Sequence, residues 1–459
     1  MNQIFSYKTF YIFLLLYPSF LFSQTIRPYD SVAKKIITTG LHSRNAYKIL
    51  EELTTSIGPR LSGSVGAEKA IEWGKSKMKS FGFDNVRTES LMVPHWVRGN
   101  KEEASVIVNG KSTSLSICAL GGSIATPNEG ITADVLEVHS FEELQSKKDQ
   151  ANGKIIFFNR PLDDTKFSTF EAYSGAVNQR GSGAVEAAKV GGIAVIVRSM
   201  TTRLDNVPHT GAMNYIDTVA KIPAAAISTL DANVLSEFLL NEKNVKVKLV
   251  LSCEILPDVP SANVVGEIRG SEFPNEVVVI GGHLDSWDKG RGAHDDGAGV
   301  AHTLEALYLL KELGFQPKRT IRAVLFMNEE NGLHGGKAYA TVSRPSEKHI
   351  AAIETDAGGF SPTGFGVSTD SIRFEKIAQW AYLLEGINAD RIRKGGGGAD
   401  ISELGKQGVP TIGLRVDQQR YFDYHHSNSD TIDKVNEREL ELGAIALSIL
   451  SFVLAEEGI

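Results

Sequence analysis

His283, Asp285, Asp295 and Asp296 crowd into one stretch, VVVIGGHLDSWDKGRGAHDDGAGVAH over residues 277–302, directly behind four apolar residues of buried-strand type. Charges beside a core are costly unless something pairs with them. The pattern recurs along the chain. RAVLFMN runs into Glu329 and Glu330, AAIET into Asp356, and VPTIGLRV leads through a loop to Tyr424-His425-His426. Each acid alone reads as a solvated loop carboxylate, but four apolar runs ending alike ask for a common ligand. Two imidazoles and three carboxylates suit a borderline cation such as zinc, which takes nitrogen and oxygen donors. Five protein ligands with one carboxylate shared suggest two cations a few ångströms apart, as in two-metal hydrolases. The expected arrangement has His283 and Asp356 on one cation, Glu330 and His426 on the other, and Asp295 between them.

Other groups take roles around that set. Glu329 and Glu330 are adjacent, so in a strand-like backbone they point opposite ways. Glu330 on the metal then leaves Glu329 as the general base, which later returns the proton to a leaving amine. Asp285 shares a strand face with His283 and is expected to accept its imidazole N–H, fixing the tautomer. Asp295 and Asp296 stand just ahead of the helical GAGVAHTLEALYLLKELG, where capping explains one acid but not two. His294 and His302 are expected to be structural. Cys118 and Cys253 sit in neither CxxC nor CxxH, which excludes a cysteine metal site. Buried thiols and a disulfide are both open for them.

Positioning these residues takes a particular scaffold. From residue 261 onward, short apolar runs alternate with amphipathic helices, which predicts an α/β fold: a mostly parallel, mixed central sheet with helices on both faces. Its ligand edge lies at the carboxyl ends of the strands. Residues 25–120 begin with two helices, one capped by Ser43 and stopped at Gly58, the next stopped at Gly82. Strand-like segments follow, with a hairpin at Asn109-Gly110. Residues 121–256 hold strands such as GKIIFFNRP, GGIAVIVRS and IPAAAIST but no cluster of His, Asp and Glu. They read as a small domain inserted into a larger one formed by 25–120 and 257–459. Residues 1–24 have the outline of a secretory signal peptide, so export with cleavage near Ser23 or Gln24 is expected. No later segment is apolar enough to span a bilayer, and the mature form is expected off the membrane. A net charge of −7 with no basic block argues against nucleic-acid binding.

In order, GGHLDSW, GAHDDGAG, NEENG, ETDAGG and HHSNSDT resemble the motifs of the two-zinc exopeptidases. IGPRLSGSVGAEKA and ISELGKQGVP bring the chain nearest that family's glutamate carboxypeptidase branch, and the resemblance spans nearly the whole mature chain. It implies a fold of zinc-exopeptidase type, two Zn²⁺ per chain on His283, Asp295, Glu330, Asp356 and His426, and Glu329 as base. His426 rather than His425 follows from the family spacing, which Ser427 and Asp430 complete. A cis peptide between Asp295 and Asp296 is implied as well. So is a protease-associated domain in the insertion, acting as a lid or partner surface and not as a catalytic unit. The implied substrates are short peptides or dipeptides, by aminopeptidase, carboxypeptidase or dipeptidase action, and a second copy of the chain is an open partner. Two competing readings use the same fold: a non-catalytic receptor, which would have lost ligands, and a one-zinc acyl transferase of the glutaminyl-cyclase type. Arg373, Arg391, Arg393, Arg415 and Arg420 are candidates for a substrate carboxylate or for solvated surface. The Gly395–Gly398 run with Asp400 reads as a mobile wall of the site or a loose turn.

Overall fold

Two eight-stranded sheets organise residues 27–459, the part of the chain that the computed structural model describes. The expected signal peptide lies outside these described residues. The first sheet runs in the order Asp84–Val97, Glu254–Ile268, Arg319–Phe326, Phe273–His283, Lys348–Glu354, Thr411–Val416, Pro362–Ser368, Arg391–Lys394. Its four central strands are parallel, while the 84–97 and 254–268 strands and the 362–368 strand pair antiparallel. The sheet is therefore mixed, with the parallel portion at its middle.

The reason lies in the residues of its central strand. Val277, Val278, Val279 and Ile280 have no exposed surface. Val278 and Ile280 pack in the main core with Leu304 and Leu447 of the helices Ala298–Glu312 and Glu437–Glu457. Val277 and Val279 face the other way, against Tyr339 and Leu404. A strand buried on both faces needs helices on both faces, and parallel crossovers supply them.

The N-terminal helices differ from expectation at one cap. Ser43 ends the helix Asp30–Ser43, its Oγ donating to the Gly40 carbonyl at 3.3 Å, and the next helix, Asn45–Glu52, begins after Arg44 at φ 45°. Gly58 (φ 82°) does stop that segment, after a wider turn over Leu53–Ile57. The Asn109-Gly110 hairpin forms, with left-handed φ at both residues between paired Val108 and Lys111.

The second sheet collects strands between Glu102 and Leu251. Three of them, over 102–119, come ahead of residue 121, where the insertion was expected to begin. Their pairing explains it: Glu102–Val108 lies antiparallel to Lys246–Leu251, and Ile117–Ala119 to Ala224–Ile227. Cys118 and Cys253 are both free and buried, in different packing clusters. Among the described residues, no helix is long and apolar enough to cross a membrane.

Candidate metal centre

Parallel strands present their carboxyl ends on one edge, where helices leave a crevice. His283 is the last residue of its strand. Asp295 occupies the turn before the helix Ala298–Glu312, and Glu329 and Glu330 follow the strand ending at Phe326. Asp356 stands two residues past Glu354, and His426 follows the short helix Tyr421–Tyr424 with φ 59°.

These side chains converge. Asp295 Oδ1 lies 3.2 Å from His283 Nε2, and its Oδ2 lies 3.2 Å from His426 Nε2. His426 Nε2 is also 3.0 Å from Glu330 Oε2, and His283 Nε2 is 3.7 Å from Asp356 Oδ1. His425 stacks on His426 with ring centres 3.5 Å apart, but its Nε2 is 3.7 Å from Asp295 Oδ2.

Do these residues fit a metal? His283 Nε2, Asp295 Oδ2 and Asp356 Oδ1 are buried with no hydrogen-bond partner. Buried polar atoms are rarely left so, and three unpartnered in one cluster form a donor set. Ligand atoms of His283, Asp295 and Glu330 lie within 4.8 Å of one another, as do those of Asp295, His425 and His426. Nitrogen and oxygen donors in such groups are zinc chemistry. Charge argues the same way. Burial and the charge of Asp295 push Glu330 up to about 7. Burial works against Asp295, yet the imidazoles of His283 and His426, each 3.2 Å away, hold its carboxyl well below the usual range. A cation would relieve this crowding of acids.

The neighbours hold the set in place. His283 Nδ1 meets the main-chain carbonyl of Asp285 at 3.0 Å, whereas the Asp285 carboxylate is 3.7 Å away. That carboxylate instead accepts the N–H groups of Asn328 (2.8 Å) and Glu329 (3.1 Å), tying the two strand ends together. Asp296 does two things: its Oδ1 accepts Gly299 N–H at the helix start and its Oδ2 accepts His283 N–H. The Asp295–Asp296 peptide is cis. His294 stacks between Phe360 and Tyr424, and His302 hydrogen-bonds Thr355, so both are structural. Glu329 and Glu330 sit in a turn rather than the expected strand-like backbone, and both line the cavity: Glu330 is buried against His426, and Glu329 is half-buried.

Several contributors escaped the sequence reading. Arg60, with no exposed surface, donates to the carbonyls of Leu284 (2.5 Å), Arg291 (2.8 Å) and Gly292 (2.9 Å), holding the loop between His283 and Asp295. Its signal was the IGPRLSG stretch, to which no role was attached. Asp430 accepts the N–H groups of His294 and Asp295 at 2.7 and 3.1 Å. From the second sheet's side come Phe170, Tyr173 and Arg180, which line the 540 Å³ cavity over the cluster together with Glu329 and His426. Arg180 Nη1 is 3.4 Å from His426 Nδ1.

The chain is similar to known proteins. The profile of peptidase family M28 matches residues 263–451. Carboxypeptidase Q of Bos taurus is 39% identical over 437 residues, covering 94% of this chain and 90% of that protein. The Mus musculus protein of the same name is 38% identical, covering 94% and 91%. Among solved structures, a peptidase M28 precursor from Shewanella amazonensis superposes with a TM-score of 0.90 at 37% identity, over 94% of this chain and 97% of that one. A zinc aminopeptidase from Bacillus subtilis shares the fold, with a TM-score of 0.65 at 20% identity over 90% and 95% of the two chains.

Proposed function

This chain belongs to peptidase family M28 and is a zinc metallo-exopeptidase, and on that premise we propose that it trims short peptides or dipeptides at the cluster between His283 and His426. We read His283 and Asp356 as ligands of one zinc ion, Glu330 and His426 as ligands of a second, and Asp295 as shared. One observation carries this: Asp295 offers a separate carboxylate oxygen to each imidazole. Bound there, zinc supplies Lewis acidity, polarising the scissile carbonyl and easing deprotonation of water.

The chain's own groups do the rest. Glu329, on the cavity wall, takes the proton from the attacking water and hands it to the amine nitrogen as the peptide bond breaks. Asp285 is a positioning residue for it, since it holds the N–H groups of the turn from which Glu329 projects. Asp430 holds the backbone of Asp295, and Asp296 that of His283. We read the unit containing the second sheet as an inserted protease-associated domain, and the rest as the peptidase domain. We read residues 1–24 as a signal peptide and the enzyme as exported.

Zinc analysis of purified protein tests the reading. We expect about two ions per chain, and near-complete loss of both in Asp295→Asn, because that carboxylate is shared. One ion per chain, with cyclised products from N-terminal glutamine peptides, would refute it in favour of a one-zinc acyl transferase.

A further inference from the structure

Five arginines were candidates for a substrate carboxylate, and the structure separates them. Arg373 is spent on Asp370 and the Gly408 carbonyl, and Arg420 pairs with Glu439 and lies over Phe360. Arg391, Arg393 and Arg415 instead line one cavity of about 780 Å³. Arg391 and Arg393 are alternate residues of the edge strand Arg391–Lys394, so they share a face. Arg415 comes from the strand Thr411–Val416 and donates to the Gly395 carbonyl at 2.9 Å. All three side chains are exposed to the cavity, and among the described residues none is in an ion pair.

Three acids line the same cavity, but among the described residues none of them is ion-paired with these arginines. Glu354 accepts Ile401 N–H, Asp417 accepts Gln419 N–H, and Asp356 is a proposed zinc ligand. Three planar guanidinium forks on one concave wall suit a carboxylate, which they bind in parallel pairs of charge-assisted bonds. The cavity is also continuous with the chemistry. Asp356 and Phe170 line both it and the cavity over the cluster. Gly395 stands in open space, but other glycines of the run are closely packed. A Cβ on Gly398 would stand 2.1 Å from Glu354 Cδ, and one on Gly396 2.8 Å from Gly366 Cα, so these two are packed as the cavity's wall. Across the mouth lie Phe167 and Ser168, beside Gln418 and Gln419.

We propose that Arg391, Arg393 and Arg415 form a subsite for a carboxylate of the peptide substrate, from an acidic side chain or from the peptide's own C-terminus, extending past Asp356. The proposal rests on the peptidase reading above. Its test is a set of tripeptides carrying Glu or the neutral isostere Gln at each position in turn, each with a free or an amidated C-terminus. They are assayed on the wild type and on Arg391→Gln/Arg393→Gln, two side chains with no hydrogen bond to lose, with Arg415→Gln as a second variant. For the wild type we expect kcat/KM to favour the charged member of at least one pair by about tenfold or more, falling to within about twofold in the variants. Preference for Glu over Gln assigns the subsite to a side chain; preference for the free terminus assigns it to the C-terminal carboxylate. Equal rates for every pair in the wild type, or a preference that survives both variants, would overturn the proposal. Should none of the peptides be cleaved, the peptidase reading fails separately. Calorimetry with the same pairs then decides the subsite, by tighter binding of the charged member to the wild type alone or by its absence.

Discussion

Replacing Arg60 by methionine, which keeps the aliphatic bulk and removes the guanidinium, should loosen the loop that links His283 to Asp295. The cost follows from its contacts. Of its three short carbonyl partners, Gly292 O also accepts Gly297 N–H, so it keeps a bond. Leu284 O and Arg291 O have Arg60 as their partner and would be left unpaired, the first buried and the second part-buried. Each such group costs about 1–3 kcal/mol, so the pair should cost about 4 kcal/mol. For roughly 430 ordered residues the unfolding entropy is about 0.9 kcal/mol per kelvin, and the melting temperature should fall by about 4 °C. Differential scanning calorimetry would read this, in chelator-treated and in zinc-loaded protein alike, because the argument concerns carbonyls and not the metal. Arg60→Lys should recover only part of the loss, since a point charge cannot span the carbonyls that the fork reaches. A methionine variant melting within about 1 °C of the wild type would refute the reasoning.

Glu329→Gln should retain zinc while peptide turnover falls by about a thousandfold, the scale of general acid–base catalysis; metal analysis beside a rate assay checks both, and normal turnover would remove Glu329 from the mechanism. Gly299→Ala would put a Cβ 2.0 Å from the Thr355 carbonyl and 2.2 Å from Asp296 Oδ2. Backbone must move there, so melting should drop by at least about 4 °C and zinc should bind more weakly, by calorimetry and metal titration. Burial and then the charge of Glu441 raise Glu305 to about 9, and burial raises Glu441 to about 7. Both lie above the unfolded value near 4.3. The stability they contribute is therefore full below that value and is lost as pH climbs through 7 and then 9. Glu305→Gln should melt higher than the wild type at pH 9 and match it at pH 5; a wild-type melting temperature flat across that range would count against the shift.

What the sequence disclosed follows from the range of each interaction. Strand ends such as GGH and MNEE were legible because burial writes a run of apolar residues, and the chemistry follows within one or two positions. The mixed α/β architecture was legible for the same reason. Ser43 was misread because a capping residue and the last residue of a preceding helix look alike until Arg44 is seen to break the chain direction. The strands over 102–119 were grouped with the larger domain, and their pairing in the second sheet was not legible because alternation marks a strand without naming its partner. Arg60 stood in the noted IGPRLSG stretch, but its role was not legible: its partners are main-chain carbonyls more than two hundred residues away, and carbonyls leave no mark on a sequence. Asp285 lay between these cases, since its proximity to His283 was legible but its partners on the neighbouring strand end were not.

The second sheet shows how far this matters for function. A lid or partner surface could be removed and leave the centre intact, but the contacts here say otherwise. The main-chain carbonyl of His426 accepts Thr210 N–H at 2.9 Å, and that of His425 meets His209 Nδ1 at 2.7 Å. Tyr173 stacks on Phe422 with ring centres 4.5 Å apart, and Phe170 on Tyr421 at 5.2 Å. Gly121 lies so close to Trp287 that a Cβ there would stand 1.8 Å from the indole. The main-chain N–H of Trp287 in turn donates to Glu330. Two of the proposed zinc ligands, His426 and Glu330, are thus held through groups that the second sheet touches. The peptidase sheet supplies donors, but the docking of the second sheet fixes where two of them stand. Any change in how the sheets meet should alter the metal centre and the substrate cavity together, because the same residues bound both.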